Sequence, residues 1–431
     1  MENQCKLDIK NCRGQSYDNA ANMSGKYNGM QQRIQQISPY AIYIPCAAHS
    51  LNLVGRSAVD CCLIAVNFFA TVQQIYKFFA ASTHRWAVLK QHAVSKNVVK
   101  SLSDTRWEAH AAATNALYDS YHEIIDALEE IASDQNQKGD TVRDATTISE
   151  KMQEFEFSVM LCLWCEILKK FKNTSKTLQT EDLDLSTCAN LYMSLSNCVS
   201  LLRDDFDKIE EEAKIFLPQS EYKANTTRAK RRKIQPNDGN AAEVKLSPRE
   251  NFRINTFLAI IDKLDQNLRI RGEIYTKVSR TFDFLIDRKI SIESCVTLSD
   301  KLISSYPDDL NSDLSQEVQH YHIYLNNKFP VDKKLSHYEM YRIIVEDNIK
   351  NVFPNVEISL QIFLSLMITN CSAERSFSQL KFIKNPKRST MRQERLDSLS
   401  LLCIESDILR RITFEDVIDE FARQKSRLRQ F

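Results

Sequence analysis

Tyr40-Ala41-Ile42-Tyr43-Ile44-Pro45, followed at once by Cys46-Ala47-Ala48-His49-Ser50-Leu51-Asn52-Leu53, is the stretch on which the fold turns. Ile42 and Ile44 stand two residues apart, the period of a strand, and Pro45 closes the run. From Ala47 onward the apolar spacing becomes helical and continues through Phe78 and Phe79. Upstream, Leu7 and Ile9 alternate weakly ahead of Asp18, which predicts a second short strand there. Between the two predicted strands lie Met23, Tyr27, Met30, Ile34 and Ile37, separated by four, three, four and three residues, so one helix is expected. Strand, helix, strand, helix is the order of an α/β unit.

Outside this unit the chain of 431 residues reads as helical. Its seven glycines are far below the roughly 7% of average usage. Four of them (Gly14, Gly25, Gly29 and Gly55) fall in the first 55 residues, and no proline occurs between Pro45 and Pro218. Turn-rich strands are thus disfavoured beyond the opening unit. Heptad-like spacing resumes after Trp107, broken by polar segments around 133–147 and 220–250. Pro236, Gly239 and Pro248 mark the second of these as a loop. Further on, Phe353 to Leu366 is strongly apolar, one helix carries Phe377 and Leu380, and another carries Leu396, Leu399 and Leu402. Thr413 is expected to cap a last helix, with Asp416 at the reciprocal position and Val417, Phe421 and Leu428 as its apolar stripe.

Hydrophobic residues make up 43% and charged residues 26%, which fits a folded globular chain. No run of about 18 uncharged apolar residues occurs, and Met1 is followed by Glu2, Asn3 and Gln4. Neither a membrane span nor a signal peptide is expected. Twelve cysteines are dispersed among apolar neighbours, as at Cys162, Cys165, Cys188 and Cys198, and read as reduced, mostly buried thiols. A net charge of +1 gives no general pull on nucleic acid, so such binding must come from local patches. Two exist: Arg228, Lys230, Arg231, Arg232 and Lys233, and the stretch from Lys381 through Lys384, Lys387, Arg388 and Arg392 to Arg395.

Four blocks carry a resemblance. Cys12-Arg13-Gly14-Gln15-Ser16-Tyr17-Asp18-Asn19 with Asn22-Met23-Ser24-Gly25-Lys26-Tyr27-Asn28-Gly29 is the first, and Ile44 to Leu53, with its Cys46-x-x-His49 element, the second. Asp104-Thr105-Arg106-Trp107 is the third; Ser372-Ala373-Glu374-Arg375-Ser376-Phe377-Ser378, continuing to Arg388-Ser389-Thr390-Met391 and Arg395-Leu396, is the fourth. In this order they resemble hAT superfamily transposases and their domesticated relatives, with closest similarity to the zinc finger MYM-type and THAP-domain repressor proteins. The resemblance implies α/β plus α architecture: a truncated RNase H-like core split by a long all-helical insertion, with a helical C-terminal dimerisation region. The expected domains are a partial core at 1–109 whose opening strands are missing, an insertion at 110–345 with a polar loop near 220–250, and a dimerisation region at 346–431 that completes the core.

The same resemblance implies roles. In the family, three carboxylates hold two divalent metals that activate a water or 3′-hydroxyl against a phosphodiester; Mg²⁺ and Mn²⁺ suit such oxygen ligands. Asp18 matches the second carboxylate and Glu374 the third, while the first is expected upstream of this chain, so the inherited site is expected to be inactive. The alternative role for Asp18 is capping the helix after it. His49 is implied beside that site, or else as helix-start packing. Cys46 and His49 make only half a zinc site, and Cys61-Cys62 does not supply the other half. Trp107 occupies the family position for a tryptophan that stacks on a displaced base, or else is core; Trp86 and Trp164 read as core.

Arg106, Trp107, Arg375, Lys381, Lys384, Lys387 and Arg388 are the expected DNA contacts, and Leu396, Leu399, Leu402, Val417, Phe421 and Leu428 the expected dimer contacts. The expected function is self-association of a transposon-derived protein with DNA contact, the partners being a second copy and DNA, with no membrane and no small-molecule substrate. No cofactor is expected; Mg²⁺ or Mn²⁺ would serve only an active site. The nucleus is the expected compartment, with the cytoplasm second. The alternatives are a fragment of an active DDE-type transposase and a protein-only scaffold or transcriptional repressor.

Overall fold

The computed structural model describes residues 7–93, 97–103, 107–180, 183–223 and 246–424. The chain divides into two compact units, Met1–Thr369 and Asn370–Phe431. The basic run Arg228 to Lys233, the motif residues Asp104 to Arg106, and Leu428 lie outside the described residues.

The first unit opens with a strand–helix–strand crossover. Strand β1 (Gly14–Tyr17) pairs in parallel with β2 (Ile42–Pro45), Gly14 opposite Ile42 and Tyr17 opposite Pro45, and these form the one sheet among the described residues. The second strand lies where the alternation put it. The first is displaced from Leu7 and Ile9 to Gly14–Tyr17: Leu7 is exposed, and Ile9–Asn11 is a single 3-10 turn held by Asp8. Gly14 is required where β1 runs, since a Cβ there would stand 2.6 Å from the Ser365 carbonyl oxygen. The expected helix from Met23 to Ile37 is two pieces, α1 (Ala21–Ser24) and α2 (Met30–Ile37). Extended backbone at Gly25 and Gly29 breaks it, leaving Tyr27 exposed and Ile34 buried.

After β2 come α3 (Ala47–Val59), α4 (Leu63–Ala80) and α5 (Thr83–His92). The helical block continues with α6 (Trp107–Asp119), α7 (Tyr121–Ser133), α8 (Gly139–Met152), α9 (Phe155–Leu178), α10 (Leu185–Leu201) and α11 (Phe206–Phe216). The polar stretch around 133–147 is thus largely helical: α8 shows water a polar side and buries Ala145, Ile148 and Met152. At the far side of the second polar segment, Ser247 and Glu250 form a capping box that opens α12 (Pro248–Phe252). The chain then runs through a π-helical turn into α13 (Ala259–Phe282).

The most extensive packing joins α10 to α13. Gly272 permits the close approach, since a Cβ there would meet Tyr192 Cβ at 3.0 Å, and the rings of Tyr192 and Tyr275 lie 5.1 Å apart. The unit closes with α14 (Ile292–Ser305), α15 (Leu314–Lys328), α16 (His337–Glu346) and α17 (Pro354–Ser365). Buried Phe282 lies tilted against Phe363 of α17, so α13 and α17 share one core. No single described helix is long and apolar enough to cross a membrane.

The second unit contains α18 (Cys371–Ile383), α19 (Gln393–Ile404), α20 (Ser406–Leu409) and α21 (Glu415–Gln424). Here α18 packs on α19, and Cys403 Sγ donates to Gln379 Oε1 at 3.2 Å. The last helix begins at Glu415, and Phe414, not Thr413, supplies the carbonyl of its first bond, to Ile418 N–H. Among the described residues no cysteine is in a disulfide. Cys162, Cys165 and Cys188 are buried, but Cys198 is exposed because it falls on the outer side of α10. Trp164 is fully buried, whereas Trp86 is half-buried.

Candidate functional site

The two parallel strands end side by side, so the connections leaving them gather at one edge of the sheet, the place where open α/β sheets hold their ligands. Asp18 comes directly after β1, and His49 lies in the first turn of α3 after β2. Asn19 Nδ2 donates to Ser50 Oγ at 3.2 Å, joining the two connections. Tyr17 and Tyr43 stack with ring centroids 6.3 Å apart. Asp18 and His49 are both half-buried. One Asp18 carboxylate oxygen accepts the Ala20 N–H at 3.2 Å in a turn, while α1 has Ala20 at its cap position with no side-chain cap bond, so Asp18 does not fill the capping role expected as its alternative.

The β2–α3 junction itself is fixed by long-range hydrogen bonds. Tyr275 Oη donates to the Pro45 carbonyl at 3.0 Å and Tyr192 Oη to the Ala47 carbonyl at 2.7 Å. Backbone N–H groups add two more: Ala47 donates to the Ile368 carbonyl at 2.8 Å and Cys46 to the Tyr17 carbonyl at 3.0 Å. Cys46 is fully buried, its sulfur 3.9 Å from Thr369 Oγ1. Burial also pushes the neighbouring thiol of Cys188 far above the usual range, which suits packing and opposes metal ligation. Cys46 is thus packed into this junction.

The family chemistry uses a pair of divalent cations, and the residues of this edge do not by themselves fit one. Asp18 is engaged in a turn, and among the described residues no three His, Cys, Asp or Glu side chains converge. Glu374 belongs to the second unit, on the first turn of α18, where it is exposed.

Trp107 is enclosed. It is 6% exposed and lies flat on Gly55, where a Cβ would stand 2.5 Å from the indole. His110 stacks on it at 4.4 Å, and Phe69 and Trp164 pack edgewise and tilted at 5.8 Å. Stacking a base there requires displacing one of these neighbours. Arg106, the preceding motif residue, lies outside the described residues.

The basic residues expected to touch DNA, Arg375, Lys381, Lys384, Lys387 and Arg388, are all exposed on α18 and the turn after it, as are Arg392 and Arg395. The expected dimer residues divide. Leu396 is buried, Leu399 is half-buried, and Leu402, Val417 and Phe421 are exposed, while Leu428 is outside the described residues. The open apolar surface is wider than the sequence stripe showed: Phe382 is 79% exposed, Phe377 69%, Leu401 63% and Ile418 62%, with Ile404, Ile408 and Ile412 also open. No sequence signal marked Phe377, Phe382 or Leu401: Phe377 stands between Ser376 and Ser378, Phe382 between Lys381 and Ile383, and Leu401 opens the apolar run Leu401-Leu402-Cys403-Ile404.

Residues 340–408 match the model of the hAT family C-terminal dimerisation region. The match runs from α16 through α20, across the end of the first unit and most of the second. It supports hAT family membership and a transposase-derived chain with a dimerisation region.

Proposed function

We propose that this chain is a transposon-derived protein that self-associates through its C-terminal unit. The observation that carries the reading is the exposed apolar surface of α18 to α21, which falls largely within the matched dimerisation region. Covering one exposed leucine, isoleucine or phenylalanine stabilises by roughly 1.5–3 kcal/mol, so many such side chains on one small unit favour an interface. Light scattering on the intact chain tests it. A mass of at least twice the monomer is expected at tens of micromolar, and a folded monomer at that concentration contradicts the reading.

DNA contact is the second part of the proposal. The exposed cations from Arg375 to Arg395 sit on the same unit, and their density supports a phosphate-binding face in an otherwise neutral chain. Binding that weakens steeply with salt, and weakens further in Lys384→Ala with Lys387→Ala, is expected; salt-independent or absent binding counts for the protein-only scaffold. The run Arg228 to Lys233 supports nuclear residence. Kinship with the MYM-type and THAP-domain repressors rests on the block from Cys12 to Gly29.

An RNase H-like ancestry for the β1–α1–α2–β2 unit is supported by its parallel crossover and by the position of Asp18 at the carboxyl edge. A shared ancestral site for Asp18 and Glu374 rests on the resemblance of the two sequence blocks that hold them. Cutting is not proposed for this chain: the expected result is no nicking or joining of DNA in Mg²⁺ or Mn²⁺. Metal-dependent nicking lost in both Asp18→Ala and Glu374→Ala favours the active-transposase alternative instead.

A further inference from the structure

Helices α18 and α21 carry opposite charge around open apolar faces. On α21, Val417, Ile418 and Phe421 form an exposed stripe. At about 3.6 residues per turn, Glu415 and Glu420 border that stripe on its two sides. With Asp416 and Asp419 the helix holds four carboxylates against one cation, Arg423, which pairs with Glu420 on the exposed surface at 3.4 Å. On α18, Ile383 is buried on the inward side, while Phe377 and Phe382 are exposed. Lys381 stands one turn after Phe377, and Lys384 follows Phe382; both are exposed. From Arg375 to Arg395, seven basic residues stand against Glu394 alone. Both apolar faces are open in the same chain, so neither covers the other there.

We infer that α21 of one copy docks on α18 of a second copy, and reciprocally, and that DNA competes with this docking because both need Lys381 and Lys384. The inference rests on the self-association and the DNA contact proposed above. Val417, Ile418 and Phe421 cover Phe377 and Phe382, while Glu415 and Glu420 reach the two lysines. An acid-edged stripe and a base-edged face are complementary, and exchanging them about a two-fold axis satisfies both at once. Lysines so covered are withheld from phosphate, so a copy bound to DNA has released its partner's α21.

Sedimentation velocity on two charge-reversed variants tests the docking. Glu415→Lys with Glu420→Lys, and separately Lys381→Glu with Lys384→Glu, should each weaken assembly. An exposed ion pair contributes about threefold, and two-fold symmetry makes four of them, so the loss should be on the order of 100-fold. Mixed in equal amounts, the two variants should assemble with one copy of each, because every junction then joins opposite charges again. Variants that assemble as the intact chain does overturn the docking and leave self-association standing, whereas an intact chain that is monomeric throughout removes both. Two monomeric variants that fail to assemble on mixing also overturn it. Adding a short DNA duplex of mixed sequence to the intact assembly at low salt should release DNA-bound monomers. An assembly that carries DNA at unchanged size overturns the competition, and one that binds no DNA overturns it together with the DNA contact.

Discussion

Tyr275 Oη donates a 3.0 Å hydrogen bond to the carbonyl of Pro45, a partner 230 residues away in the chain. Tyr192, its ring tilted against that of Tyr275, does the same for Ala47. Helices α10 and α13 thus hold the turn at which β2 becomes α3. Both phenols are fully enclosed, and burial drives their ionisation far above the usual tyrosine range, so they act as neutral donors at any physiological pH.

Removing either hydroxyl leaves a buried carbonyl without that donor. Tyr192→Phe and Tyr275→Phe are each expected to cost about 1–3 kcal/mol in urea unfolding, and less than additively together because the two sites adjoin. Unchanged midpoints in both variants would show that the junction is held otherwise.

Arg13 and Asp309 form a second long tie, bidentate at 2.6 and 2.7 Å, with the guanidinium also over the Tyr40 ring at 5.4 Å. The hydrogen bond to Asp309 holds the Arg13 guanidinium above its usual range. Arg13→Lys retains the charge but cannot make both bonds, so a loss of about 1–2 kcal/mol is expected. A double-mutant cycle with Asp309→Asn should show coupling, and additive effects would dismiss the tie.

How far the sequence carried can be judged at these same residues. The alternation of Ile42 and Ile44 located β2, because one face of that strand is buried. It misplaced β1, because Gly14-Gln15-Ser16-Tyr17 is polar. Gln15 is nonetheless buried, its amide donating to the carbonyls of Gln31 and Ala41 at 3.1 and 3.0 Å. A strand whose inward residue is polar leaves no hydrophobic period to read. Trp107 could be read either as a stacking platform or as core, since a single aromatic does not declare its neighbours; Gly55 and His110 enclose it only after folding. The residues proposed for self-association were legible as two apolar stripes, Leu396, Leu399 and Leu402 on α19 and Val417 and Phe421 on α21. The contributions of Phe377 and Phe382 depend on which side of α18 faces α19, which no spacing within α18 reveals.

Two buried histidines set a pH dependence. His322 Nε2 donates to the Leu285 carbonyl at 2.8 Å and His337 Nε2 to that of Phe282 at 3.2 Å, and burial lowers the pKa of both. Above about pH 7 both are neutral whether the chain is folded or unfolded, and they give no slope. Below the ordinary histidine pKa of about 6.5 the unfolded chain binds more protons, so stability falls as pH falls, by at most about 1.4 kcal/mol per pH unit for each group. His322→Gln keeps a donor without titrating, and should make the loss between pH 6.5 and 5 shallower. An unchanged slope would contradict the assignment.

The central claim is that the exposed apolar side of the C-terminal unit is where two copies meet. Sedimentation velocity across a concentration series, comparing the intact chain with Leu402→Asp combined with Ile418→Asp, tests it most directly. Both side chains are exposed, so the double variant should remain folded, with unchanged helical circular dichroism. The account predicts a dimer or larger species for the intact chain that dissociates to monomer in the variant. A variant that sediments as the intact chain does, or an intact chain that remains monomeric throughout, would contradict it.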